Sequence, residues 1–179
     1  VLDRKNFTDL LWFFEGFTSY YDDLQLFRTG RISLNKYLKR VLDNWNGVLR
    51  GPGRLKQSLA DSSFDAWTKY YQADENTPNA VVSYYAKGAL VALALDIEIR
   101  NFTNNKKSLD DVMRALWKKH GAWGNHAGVG IVEDDFFKSI IDVVGDSFKS
   151  LLGKFSKAYI HGTKELPLEE LLATQGIQV

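Results

Sequence analysis

AVVSYYAKGALVALALDIEIR, residues 80–100, is several helical turns long and apolar nearly all the way round. A helix of that kind has no face to give to water, so other elements must surround it. This run predicts a buried central helix over about Ala80–Arg100 and excludes a thin or single-layer fold. Asp96 interrupts it and it falls short of a membrane span, so no membrane partner is expected.

What surrounds it also has the helical period. Phe7, Leu10, Leu11, Phe14, Phe17, Tyr21 and Leu24 recur at three and four, with Asn6 or Thr8 placed to cap the start and Gly30 to end the helix. Ser33 opens a second stripe of Leu34, Tyr37, Leu38, Val41, Leu42, Trp45, Val48 and Leu49, which Gly51-Pro52-Gly53 stops. A short helix is predicted around Ser63–Tyr71 and a polar loop over 72–79. Ser108 and Asp111 form a capping box for a helix that ends at Gly121, and the glycine-rich stretch 121–130 reads as a loop. Amphipathic segments follow over about 133–143 and 147–159, then a last short helix with Pro167 in its first turn and Gly176 after it. Apart from a short extension at Ile177–Val179, nothing alternates as a strand. The expected fold class is all-α: an irregular bundle of roughly seven helices in one domain, residues 1–179.

Charge and composition narrow the function classes. The formal net charge is +1 and the chain has no cysteine, so neither nucleic-acid binding nor thiolate metal chemistry is expected. The basic stretches KYLKR, at 36–40, and GRLKQ, at 53–57, read as solvated faces. The chain opens at Val1 directly into a helical pattern, and is expected to be one piece of a longer protein.

The stretch LWFFEGFTSYYDD, residues 11–23, sets Glu15 among Trp12, Phe13, Phe14 and Phe17. A carboxylate held among aromatic rings costs free energy unless a cation or several donors stabilise it. Spacing alone points rather to an exposed glutamate on an amphipathic helix whose aromatics face the core. It also leaves open whether Asp22 and Asp23 support a site or face water. Asp61, Ser62, Ser63 and Asp65 either line a cleft or cap a helix.

LLWFFEGFTSYYDD resembles the second half of the gluzincin metallopeptidase signature. SFDAWTKYYQADENTPNAVVSYYAKGALVALALDIEIR, SLDDVMRALWKKHG and GTKELPLEELLATQGIQV resemble the glycyl aminopeptidase family in particular. The resemblance implies the helical lobe of a thermolysin-like catalytic domain, with zinc as cofactor in the full-length enzyme and a peptide as substrate. It implies that Glu15 is a zinc ligand, with Gly16 leaving room for close helix packing. It also implies that Tyr85, in the Y-x-K-G spacing with Lys87 and Gly88, is the catalytic donor to the oxyanion. Tyr84 is expected about 100° away around the helix.

The H-E-x-x-H helix of such enzymes is not in this sequence, since none of His120, His126 and His161 stands in that spacing. The missing ligands and general base are expected from an N-terminal part of the same protein, and a PDZ module is usual after the last stretch. On its own the chain is expected to hold no catalytic zinc and to be inactive. The surface around Glu15 and Tyr85 is expected to be an apolar, aromatic-rimmed groove, through which a homodimer can form. The rival reading is a non-catalytic helical interaction module descended from a peptidase.

Overall fold

The computed structural model describes residues 5–121 and 130–178, and among these the chain is all-α with no strand. Its helices are α1 (Leu11–Arg28), α2 (Leu34–Arg50), α3 (Leu59–Phe64), α4 (Thr77–Ala80), α5 (Ala86–Phe102), α6 (Leu109–Leu116), α7 (Glu133–Val144), α8 (Lys149–Phe155) and α9 (Leu168–Thr174). Wide π-helical turns follow at Ala66–Tyr70, Trp117–Gly121 and Ser156–Ile160. Most of the expected glycine loop, with His126, and the end of the expected extension, Val179, lie outside the described residues; Ile177 and Gln178 are neither helix nor strand.

The chain divides into two compact units. The first runs up to Leu93 and includes Ser156–Leu166. Here α1 lies against α2 and α3, α4 against the short 3-10 turn Pro52–Leu55, and Ser156–Ile160 against α3. α1 starts one turn later than its apolar period suggests, because side chains fix the entry. Thr8 Oγ1 accepts the Leu10 N–H at 3.2 Å and Ser63 Oγ accepts the Trp12 N–H at 2.9 Å. Ser33 caps α2 through the Lys36 N–H at 3.3 Å, as expected. Trp12, Phe17, Leu59 and Val91 are fully buried in this unit.

The central helix corrects the expectation at its start. The chain over 81–85 is not helical, and α5 begins at Ala86, whose N–H donates to Ser83 Oγ at 3.2 Å. Two buried side chains hold Val82 outside the helix. Its N–H donates to Gln57 Oε1 at 3.1 Å, and its carbonyl accepts from the Ser62 hydroxyl. Both backbone groups are thus satisfied outside a helix. From Ala89 to Leu95 every residue of α5 is buried, as are Ile97 and Ile99. The expected 72–79 loop also carries the one-turn α4, for which Thr77 and Asp74 make reciprocal side-chain bonds.

The second unit comprises Ala94–Phe155 and Pro167–Val179. It explains the acid inside the apolar run. Asp96 is buried, and its two oxygens accept the Leu109 N–H at 2.7 Å and Arg100 Nε at 2.9 Å. The Ser108–Asp111 capping box forms, with the Ser108 N–H 2.9 Å from Asp111 Oδ2. Ile99, Leu109, Val112, Phe136, Ile140, Phe148 and Leu168 are buried here, and Asn101 on α5 donates to Thr174 on α9 at 3.0 Å.

Candidate active site

α1 and α5 meet at two glycines. A Cβ on Gly16 would lie 2.6 Å from Gly88 Cα, and a Cβ on Gly88 would lie 2.7 Å from the Trp12 carbonyl oxygen. Only glycine lets two backbones come this close. The crossing sets Glu15, just before Gly16, near the tyrosines that precede Gly88.

Glu15 is half-buried, and its carboxylate makes no hydrogen bond or ion pair among the described residues. Its negative charge nevertheless reaches the Tyr71 and Tyr85 phenols and disfavours ionising either. Acid and phenols therefore lie within electrostatic reach of one another in the first unit.

Tyr84 and Tyr85 do not stand a helical step apart, as expected, because the chain there is a turn ahead of α5. Their rings lie 4.7 Å apart and tilted. Tyr84 is 1% exposed, while Tyr85 is half-buried. Both hydroxyls converge on Tyr71: the Tyr84 O–H donates to its oxygen at 3.3 Å, and the Tyr85 and Tyr71 hydroxyls lie 3.5 Å apart. Tyr70 packs over the pair, with its ring 4.8 Å from Tyr84 and 6.1 Å from Tyr85. The hydrogen bond to Tyr71, then burial and the Glu15 charge, push the Tyr85 phenol up to about 12. Burial first, then Tyr71, pushes Tyr84 up further still. Tyr71 moves down, because hydrogen bonds from Tyr84 and then Tyr85 favour its anion. Tyr85 thus keeps its proton, and remains a donor, throughout the neutral range.

The surface beyond is aromatic and open, with Trp67 and Tyr71 rings 5.8 Å apart and both well exposed. On the other side of Tyr85, α1, α2 and α5 line a cavity of about 310 Å³ that holds Ser19, Asn44 and Arg40 at its polar edge.

Most of the other polar residues singled out in the sequence have structural partners. Asp23 pairs with Arg40 at 2.5 Å, while Asp22 is exposed. Ser58 and Asp61 bond each other at the start of α3, and Asp65 pairs with Lys69 at 2.6 Å. Ser62 and Ser63 hold the 81–85 segment and the start of α1. These residues build the site rather than line it. Lys87 is 4% exposed, and its Nζ has no hydrogen-bond partner among the described residues; burial pushes its pKa down. Tyr71, Gln57 and Gly88's contact with Trp12 were not apparent from sequence spacing.

No group of three or more His, Cys, Asp or Glu side chains that could hold a metal occurs among the described residues. Glu15 suits one position of a zinc site and no more, so the described residues alone do not make one.

Comparison with known proteins fits this geometry. The chain matches no curated protein. It is similar, at 39% identity and a TM-score of 0.87, to an aminopeptidase N family protein from Idiomarina loihiensis whose crystal structure is known. The match covers 99% of this chain and 29% of that one, so the chain spans under a third of the length of this relative. The family model of the M61 glycyl aminopeptidases matches residues 1–91, just over half of the 179. The chain belongs to the M61 glycyl aminopeptidase family.

Proposed function

We propose that this chain is the helical part of the catalytic domain of a zinc aminopeptidase that removes N-terminal residues from peptides. In the full-length protein Glu15 is one ligand of the zinc, and the other ligands and the general base come from outside residues 1–179. Zinc, when bound, would polarise a water molecule and the scissile carbonyl. Tyr85 donates its hydroxyl proton in a hydrogen bond to the carbonyl oxygen as negative charge builds there. The observation that carries this reading is an unpaired, half-buried carboxylate whose charge reaches a phenol that is held protonated, in a member of a peptidase family. The chain alone is inactive on this reading.

The test is an aminopeptidase assay of the full-length protein on glycyl amides. Glu15→Gln should lose both bound zinc and activity. Tyr85→Phe should keep its zinc and lose about a hundredfold to a thousandfold in kcat. Full activity and full zinc content in Glu15→Gln would overturn the reading.

A further inference from the structure

Tyr71 has no role in the mechanism just given, yet both neighbouring phenols point at it. It follows directly on the π-helical turn Ala66–Tyr70, whose wide pitch is closed by the Tyr71 N–H donating to the Ala66 carbonyl at 2.9 Å. Such turns are uncommon and recur at functional sites. The turn leaves Tyr71 58% exposed, with its hydroxyl within reach of two others. An exposed phenol has no need of those contacts, since water would serve it as well. Tyr84, almost wholly buried, does need an acceptor.

We propose that Tyr71 is a positioning residue for the peptidase reaction, its hydroxyl joining Tyr84 to Tyr85 so that three phenols form one directed chain of donors ending on the substrate's carbonyl oxygen. This rests on the oxyanion role given to Tyr85 above. The protons close without remainder. Tyr84 donates to Tyr71; the Tyr71–Tyr85 bond, which either hydroxyl can donate and which Tyr85 donates in the free protein, reverses when Tyr85 turns its proton to the substrate, so that Tyr71 then donates to Tyr85. A hydroxyl has one proton and its oxygen can accept two, so Tyr71 can accept from Tyr84 and still give its own proton to Tyr85 once Tyr85 points at the substrate. Each donor in such a chain polarises the next, so Tyr85 becomes a stronger donor than a lone phenol. At 3.3 and 3.5 Å the links are longer than relaxed hydroxyl bonds. Catalytic hydrogen bonds often have this looseness before substrate draws them in.

A double-mutant cycle in the full-length enzyme tests the chain, with kcat and KM measured on a glycyl chromogenic amide for Tyr71→Phe, Tyr85→Phe and both together. Tyr71→Phe should lower kcat about tenfold, roughly the worth of one hydrogen bond, with KM within about twofold and a melting temperature lowered by only a few degrees, because the buried Tyr84 hydroxyl loses its acceptor. In the Tyr85→Phe background the same substitution should cost nothing more, because its effect travels through Tyr85. If Tyr85→Phe is damaging but Tyr71→Phe is silent, or multiplies the loss in the double variant, the chain is overturned and the proposed function stands. If Tyr85→Phe itself leaves kcat unchanged, the oxyanion role fails and the chain fails with it.

Discussion

Gly16 and Gly88 touch backbone to backbone, and that contact sets the distance between Glu15 and Tyr85. A methyl group at Gly88 would meet the Trp12 carbonyl and Gly16 Cα, neither of which can turn aside as a side chain does. The helices would have to separate. In an open helix, alanine for glycine is worth up to about 1 kcal/mol in stability. Here overpacking against rigid backbone outweighs that, and Gly88→Ala should destabilise by about 1–3 kcal/mol. Gly47, mid-helix with nothing within 4 Å of its would-be Cβ, is the control, and Gly47→Ala should be neutral or stabilising. Urea midpoints read both. A Gly88→Ala chain as stable as Gly47→Ala would mean the crossing is not tight.

Ser63→Ala should cost about 1–2 kcal/mol. Its hydroxyl accepts the Trp12 N–H at the start of α1 and donates to the Leu59 carbonyl within α3. Alanine leaves a buried N–H of α1 without an acceptor, so this end should fray, and amide exchange at Trp12 should speed up more than at the Ser33-capped start of α2. Equal acceleration at both ends would point to a global loss and refute the local capping role.

These two positions show what a sequence does and does not disclose. The Ser33 and Ser108 caps act on residues three places away, and could be read directly. So could the buried run of α5, because burial on all sides needs only composition. The non-helical segment 81–85 could not, since the bonds that hold Val82 come from Gln57 and Ser62, some twenty residues upstream. Local propensity favoured continuing the helix, and tertiary hydrogen bonds overrode it. Glu15 stood out through chemical misfit with its aromatic neighbours, and Tyr85 through resemblance. Tyr71 gave no signal because its importance lies in where a π-helical turn puts its hydroxyl.

Residues 1–179 produced alone should bind no zinc stoichiometrically. One carboxylate offers a single ligand where a catalytic zinc takes three from protein, and no group of three or more His, Cys, Asp or Glu that could hold a metal occurs among the described residues. Elemental analysis after dialysis should give the same background for this chain and its Glu15→Gln variant. One zinc per chain, lost in that variant, would show that a complete site forms without outside residues.

Lys87 makes a prediction about pH. Its amine is buried without a hydrogen-bond partner, and burial lowers its pKa; the Arg54 charge adds to this and Glu165, paired with Arg54 at 2.7 Å, opposes it. Below the folded-state pKa the amine is charged in both states, and the folded protein bears the full desolvation cost. As pH rises through that pKa the folded chain sheds a proton that the unfolded chain keeps until about pH 10.4, so stability rises with pH across that interval. Lys87→Met keeps the length of the side chain and removes the charge. At neutral pH it should therefore melt a few degrees above the parent, about 2–4 °C for each kcal/mol recovered. The gap should close as pH climbs towards that of the unfolded amine. Other titrating groups are common to both proteins and cancel in the difference. Glu165→Gln, which removes the one charge favouring the ammonium, should widen the gap at neutral pH. A Lys87→Met chain that is less stable than the parent at every pH would mean that the ammonium has a partner that holds it in the fold.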